Sequence, residues 1–329
     1  MRNPYYQGPP SDHFDGERFF HPGLPNADKS LGDVLRWHWT SHRAQWPRIV
    51  PAPFGLHPAQ RTETLTVTHI GHASLLLQVG GVNLLVDPVW SERVSPLRSF
   101  GPRRHNPPSV AFQHLPPIDA VLVTHNHYDH MDVATLARLE QAHHPHFLTP
   151  LGNDTIVRKA APGSKIETGD WWHSFTLPGN NMRVHIVPAY HWSSRSIRDR
   201  RMALWGGFMI ESPAGLIYCA GDTALRDGAI FDEIRHRFEP PALALLPIGA
   251  YAPRWFMQTQ HADPDEAVQI AATIGARHSL GIHWNTFQLT DEQHDEPEHL
   301  LAAALARQAD CKVSFDAFRP GDVWVQAKT

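Results

Sequence analysis

The sequence predicts an α/β (α+β) chain in which two β-sheets pack face to face with helices on their outer sides. Three observations carry this. Short β-branched or Leu-rich runs are interleaved with runs of helical periodicity. The order strands-then-helix occurs twice along the chain, which suits two sheets with outer helices. Finally, His and Asp residues fall just beyond the ends of apolar strands, where reactive groups collect in α/β folds.

Taken in order, residues 1–60 are rich in Pro, Gly and aromatics and hold one expected helix. Ser30 and Asp33 form a capping-box variant, and Leu31, Val34, Leu35, His38 and Trp39 follow at helical spacing. The prolines argue against an independent core, so 1–60 is expected to be an arm packed on a domain spanning 61–329. That domain opens with strands at Thr64–His69, Ser74–Val79 and Val82–Asp87, with Gly80-Gly81 as a hairpin turn. Residues 91–117 carry Pro, Arg and Ser and read as a long loop that shapes a pocket.

A strand at Asp119–Thr124 follows, then a helix capped by Asp132 with Val133, Leu136 and Ala137 on its apolar face. A strand at His146–Thr149 and a helix around Asn153–Ala161 complete the first run. The second run starts near Lys165 and takes in Met182–Pro188, Ala203–Glu211 and Leu216–Ala220. Helices at about Arg226–Arg237 and Pro264–Ile274 then alternate with strands at Leu243–Leu246 and His278–His283. The helix at Pro264 is marked by an Asp263 cap, Glu266 at its third position and a Gly275 stop.

At 329 residues, with 19% charged and 42% hydrophobic residues, the chain can bury a large core. A net charge of −4 without a long basic run gives no reason to expect a nucleic-acid partner. Cys219 and Cys311 read as free thiols of a reducing compartment, with a disulfide as the alternative. No signal pattern or transmembrane-length apolar run is present, so a cytoplasmic protein is expected.

The chemistry concentrates at His125-Asn126-His127-Tyr128-Asp129-His130, directly after the Asp119–Thr124 strand. Three His and an Asp within six residues match metal-ligand spacing rather than a solvated turn. His125 and His127 point the same way and share one ion; Asp129 and His130 turn toward a second. Three more positions follow strands in the same manner: His191 after Val184–Val187, Asp222 after Leu216–Ala220, and His283 after Ser279–Ile282. The expected set is His125, His127 and His191 on one ion, Asp129, His130 and His283 on the other, with Asp222 bridging. Imidazole with carboxylate suits two zinc ions, with iron or manganese as alternatives.

These motifs, in this order, resemble the metallo-β-lactamase superfamily. Gly71-His72-Ala73, Asp87-Pro88, Leu122–His130, Trp205-Gly206 and Pro247-Ile248-Gly249-Ala250-Tyr251 resemble its N-acylphosphatidylethanolamine-hydrolysing phospholipase D family. So do Pro253-Arg254-Trp255-Phe256-Met257, Gln260-His261-Ala262-Asp263-Pro264 and Ile282-His283-Trp284, the resemblance running from about residue 30 to 300. It implies a four-layer αββα sandwich, two zinc ions and cleavage of a phosphodiester in an amphiphilic lipid by a metal-bridging hydroxide. Asp129 and Asp222 then serve the reaction centre, and Gln260 and His261 lie near the reacting phosphate. Arg254, Trp255, Phe256, Met257 and Trp284 are expected to line an acyl-chain pocket, and His72 and Asp87 to hydrogen-bond ligating groups.

Other readings stay open: a lactonase or another phosphodiesterase of the superfamily, or a non-catalytic metal-stabilised lipid-binding module. Asp222 speaks against a β-lactamase, the lack of a basic face against a nuclease, and His127 in place of Glu against a di-iron oxidoreductase. Expected partners are a lipid or small-molecule phosphodiester substrate. The arm adds peripheral contact with the inner membrane face, since Lys29, Arg36 and Arg43 lie near Trp37, Trp39 and Trp46. The alternative is that these tryptophans only staple the arm to the domain.

Overall fold

A computed structural model describes residues 2–97, 99–177, 182–307 and 313–327. Its first sheet contains β1 (Thr66–Gly71), β2 (Ser74–Val79), β3 (Val82–Val86), β4 (Ala120–Leu122), β5 (His146–Pro150) and β6 (Ile166–Gly169). The second contains β7 (Ser174–Thr176), β8 (Arg183–Val187), β9 (Gly207–Ser212), β10 (Gly215–Cys219), β11 (Leu243–Pro247), β12 (Ser279–Ile282) and β13 (Phe315–Ala317). The last strand, β14 (Val323–Val325), returns to the first sheet beside β1, so the strand orders are β14-β1-β2-β3-β4-β5-β6 and β13-β12-β11-β10-β9-β8-β7.

The alternation of side chains along the strands builds the layers. Leu75, Leu77, Leu84 and Val86 of the first sheet meet Ile210, Ile217, Cys219 and Leu245 of the second in the central core. The intervening Leu76, Leu85 and Val121 face outward, where α2 (Val133–His143) and α3 (Asp154–Ala160) cover them with Leu136, Leu139 and Val157. On the other side Tyr218, Ala244 and Leu246 lie under α4 (Ala229–Arg237), α6 (Pro264–Ile274) and α7 (Glu296–Arg307). Each of these strands is therefore buried on both faces, and burial of each Leu contributes about 1.5–3 kcal/mol. The expected αββα sandwich is the observed one.

One strand boundary differs from expectation. The strand expected at Ala203–Glu211 begins only at Gly207, because the Leu204 and Gly206 amides donate to Leu151 O and Thr124 O instead of to a neighbouring strand. Arg254–Met257 forms a short helix, α5. Cys219 is free, as expected, and buried in the central core; Cys311 lies outside the described residues.

In the first sixty residues the regular secondary structure is one helix, α1 (Leu31–Thr40), with the Ser30–Asp33 capping box in place. The segment is tied across the rim of the sandwich. Tyr5 Oη donates to Asp199 at 2.6 Å, His21 Nε2 to Ala189 O at 2.7 Å, and the Asp28 carboxylate pairs with Arg200 and Arg201. Phe14 and Phe19 bury against Leu204 and Trp205. Further on, Trp37 Nε1 donates to Asp291 Oδ2 (3.0 Å) and Trp46 Nε1 to Glu292 O (2.8 Å). Trp37 and Trp46 thus staple the arm, and Trp39 does not: it is 81% exposed.

Candidate metal centre

Loops following strands of both sheets converge at one rim. The β4 strand delivers His125–His130, β8 leads to His191, β10 to Asp222 and β12 to His283, while the β1–β2 turn supplies His72 and the end of β3 supplies Asp87. His72, Asp87 and His283 have φ of 59°, 43° and 65°, left-handed values that cost a non-glycine residue on the order of 1–3 kcal/mol each. Strain gathered on three residues that aim into one site is characteristic of a functional centre. Before Asp222 only glycine fits: Gly221 has φ +62°, and a Cβ there would lie 2.8 Å from Thr124 Cγ2.

Two donor groups form. In one, His127 Nδ1 is 2.9 Å from His125 Nε2 and 3.1 Å from His191 Nε2. Asp222 Oδ2 closes this group at 3.9 Å from His125 Nε2 and 3.5 Å from His191 Nε2. In the other, Asp129 Oδ2 lies 3.6 Å from His130 Nε2 and 3.4 Å from His283 Nε2. Asp222 reaches this group as well, with Oδ2 at 3.3 Å from His130 Nε2 and Oδ1 at 3.1 Å from His283 Nε2. Zinc–nitrogen bonds of 2.0–2.1 Å place tetrahedral ligand atoms about 3.3 Å apart, so both groups have ligand-polyhedron spacing. The seven expected ligands are brought together, and Asp222 touches both groups.

The local chemistry also fits cations. The far nitrogens of three imidazoles are engaged: His130 Nδ1 donates to Asp87 Oδ2 (2.7 Å), His125 Nδ1 to Thr124 Oγ1 (3.0 Å) and His191 Nδ1 to Gln260 O (2.9 Å). This orients the three rings with Nε2 turned into the site. His130 Nε2, His283 Nε2 and Asp222 Oδ1 are buried without a hydrogen-bond partner, which is costly unless another group completes them.

The electrostatics agree. Burial holds His125 and His191 well below the ordinary imidazole range and His127 down at about 4, neutral as ligation requires. For Asp129 and Asp222 burial opposes charge, yet the neighbouring imidazoles, His130 foremost, hold both carboxyls well below their usual range. Against the same burial, these carboxylates draw His130 well above its ordinary value and His283 up to about 9. The centre favours positive charge among its ligands.

Around this set, Asp87 also accepts the Thr124 amide (2.8 Å) and the Thr124 hydroxyl (2.7 Å), locking β3 to the ligand loop. His72 Nε2 is 3.1 Å from Asp129 Oδ2, and its ring centroid lies 3.9 Å from that of His283 with the planes tilted by 44°, so His72 stands within reach of the second ligand group itself. His261 Nδ1 is buried, unpartnered and 3.9 Å from Asp222 Oδ2.

The substrate-side expectations need correction. Gln260 spends its amide on Trp192 Nε1 (2.7 Å) and Met257 Sδ (3.1 Å), so it braces the site and is not free to meet a phosphate. Arg254 is consumed by Asp263, Glu266 and the His261 carbonyl. Phe256 and Met257 are buried, and Trp284 is 2% exposed with Nε1 on Gly281 O, a core residue under the outer helices. Of the five expected pocket residues, aromatic surface is left at Trp255 alone, which is half-buried.

Sequence reasoning misses three residues. Thr124 links His125 to Asp87. Trp192 packs its ring 4.4 Å from His127. Arg195 donates from Nη1 to Asn126 O and Met131 O, both at 2.9 Å, and so pins the ligand loop. The one signal for Arg195 is its place in an Arg- and Ser-rich stretch four residues after His191.

Comparison with known proteins agrees with this geometry. The β-lactamase superfamily domain model matches residues 82–284. N-acyl-phosphatidylethanolamine-hydrolyzing phospholipase D 1 of Caenorhabditis elegans is 35% identical over 269 residues, covering 79% of this chain and 75% of its own length. The mitochondrial enzyme of that name from Saccharomyces cerevisiae is 32% identical over 239 residues, covering 71% of this chain and 50% of its own. Igni18, a metallo hydrolase of Ignicoccus hospitalis, shares the fold at 20% identity and a TM-score of 0.59, over 81% of this chain and all of that one. With this fold and these ligands in place, the chain belongs to the metallo-β-lactamase superfamily as a metal-dependent hydrolase, resembling its N-acylphosphatidylethanolamine-hydrolysing phospholipase D members.

Proposed function

We propose that this chain hydrolyses the headgroup-side phosphodiester bond of an amphiphilic lipid such as an N-acylphosphatidylethanolamine. Water adds to phosphorus, the bond from phosphorus to the ethanolamine oxygen breaks, and the products are phosphatidic acid and an N-acylethanolamine. The observation that carries the reading is Asp222, shared by two ligand groups and facing the unpartnered His261. The similarity to the nematode phospholipase supports the substrate class.

His125, His127 and His191 would hold one ion and Asp129, His130 and His283 the other, with Asp222 between them; zinc suits this donor set, with iron or manganese as alternatives. When bound, two such cations would supply a nucleophile from water at neutral pH and offset charge growing on the phosphoryl oxygens. The chain's own residues do the rest. Burial holds His261 at about 4, so it is a neutral imidazole at working pH and offers one N–H to a phosphoryl oxygen instead of a full charge. Trp192, held by the Gln260 side chain, packs on His127, the Gln260 carbonyl keeps His191 in place, and Arg195 keeps the ligand loop closed.

The test is a hydrolysis panel of lipid phosphodiesters, lactones and nucleotides, with His261→Ala alongside. Release of the N-acyl alcohol, slowed by roughly 10²-fold in the variant with its metal retained, is expected. Turnover of lactones with lipid phosphodiesters untouched would refute the substrate and leave the metal centre standing.

A further inference from the structure

We infer that α1 is a docking element for an anionic lipid surface, which it meets with the face turned away from the protein. The inference deepens the lipid reading of the metal centre and rests on it for the choice of partner.

A surface helix of a folded domain normally buries its apolar stripe. In α1 the arrangement is reversed. Leu31, Val34, Leu35 and Trp39 follow one another at intervals that place them on one face, and they are 84%, 45%, 54% and 81% exposed. The helix rests on the protein through the opposite side, Arg36 over Trp255 and Trp37 on Asp291 and Phe256, and has no buried residue. Four large apolar side chains on one solvent-facing ridge form a patch of the kind that marks an interaction site.

Charge selects the partner. From Lys29 to Arg48 the chain has four Lys or Arg and one Asp, whereas the whole protein carries a net −4. The one acid, Asp33, is held in the capping box by Ser30. Apolar ridge and basic flank together are the pattern of a helix lying in a bilayer interface. Among the described residues no helix is long and apolar enough to cross a membrane, so the contact is one of lying on the surface.

Position connects docking to the metal centre. The Arg36 guanidinium sits 4.5 Å from the Trp255 ring centroid, and the Trp37 ring 4.8 Å from Phe256, so α1 is laid across α5. Three residues beyond α5, Gln260 holds His191 through its carbonyl. At the N-terminal end of α1, Asp28 pairs with Arg200, whose guanidinium caps Trp192 at 3.5 Å. The same loop carries Ile197, 98% exposed. A bilayer met by α1 therefore lies on the side of the molecule where α5 and the Trp192 loop meet the candidate ligands.

The experiment is co-sedimentation of the full chain with phosphatidylcholine vesicles, with and without phosphatidylglycerol. No N-acylated lipid is present, so retention is read without turnover of the proposed substrate. Expected are retention on the anionic vesicles at low salt, loss at high salt, and a partition weakened by about tenfold or more in the triple variant Leu31→Glu, Leu35→Glu, Trp39→Glu. The variant should keep wild-type metal content and wild-type hydrolysis of a soluble short-chain phosphodiester. Trp39→Ala alone, at an exposed position, should move retention in the same direction by a smaller factor. Wild-type protein that stays in the supernatant, or a triple variant retained like wild type, would overturn the inference. So would a triple variant that changes only the oligomeric state in gel filtration, because the ridge would then be covered by a second copy.

Discussion

Asp87 Oδ2 lies 2.7 Å from Nδ1 of His130, although the two belong to different strand ends, 43 residues apart. Neither residue contacts solvent appreciably. The carboxylate accepts the Nδ1 hydrogen, so Nε2 is the nitrogen that His130 turns toward Asp129 and Asp222. One buried pair thereby sets the orientation of a proposed ligand and ties β3 to the ligand loop.

It follows that Asp87→Ala should weaken metal binding without removing any ligand. A loss of roughly 10–100-fold in metal affinity is expected, measured by competition with a chelator. An Asp87→Asn protein retains the shape but offers an amide, and should fall between. Unchanged affinity in Asp87→Ala would mean that His130 is held by its packing alone.

Gly221 makes the position of Asp222 between the two donor groups possible by combining a left-handed backbone with contact against Thr124. Gly221→Ala adds a methyl group where no space exists and a conformation that alanine disfavours. A stability loss of about 2–4 kcal/mol in denaturant melts is expected, with metal affinity falling as Asp222 shifts. A variant as stable as wild type would show that the β10 end yields easily.

The arm carries a pH dependence through His21. Burial lowers this imidazole from 6.5 to about 4, and its Nε2 donates to Ala189 O. Above pH 6.5 the group is neutral in folded and unfolded chains, and its contribution is constant. As pH falls toward 4 the unfolded chain takes a proton that the folded chain refuses, so stability drops, by up to about 3 kcal/mol below both values. His13 works in the opposite sense: against burial, Asp170 and Asp12 raise it, so its contribution is fully present below 6.5 and fades at higher pH. Comparison with His21→Gln isolates the one group. The glutamine can still donate to Ala189 O but cannot titrate, so melting temperature should fall less in the variant than in wild type between about pH 7.5 and about pH 4.5. Parallel slopes would contradict the assignment.

Much of the fold is legible because its strands are buried on both faces and its helices are capped. Ser74–Val79 reads as a strand from its Leu run, and Pro264–Ile274 as a helix from Asp263, Pro264 and Gly275; both hold at the residue level. Strands such as Ser174–Thr176 and Val323–Val325 are too short to show a period, and only pairing with a neighbour defines them. The convergence of the ligands is legible for a similar reason, since each follows an apolar strand. The substrate side is not. Arg254 and Trp284 look like pocket residues in the sequence, and their burial depends on partners, Asp263, Glu266 and Gly281 O, that no local pattern announces. In α1 the period is right while the buried face is reversed, because sequence periodicity gives the apolar side of a helix without its partner.

The central claim, that His125, His127, His191, Asp129, His130, His283 and Asp222 together form a two-metal centre, is tested most directly by elemental analysis of protein purified without added metal, with activity measured on the same sample. About two transition-metal ions per chain are expected, with Asp222→Ala losing activity and at least part of the metal while remaining folded. A metal content near zero in fully active protein would contradict it.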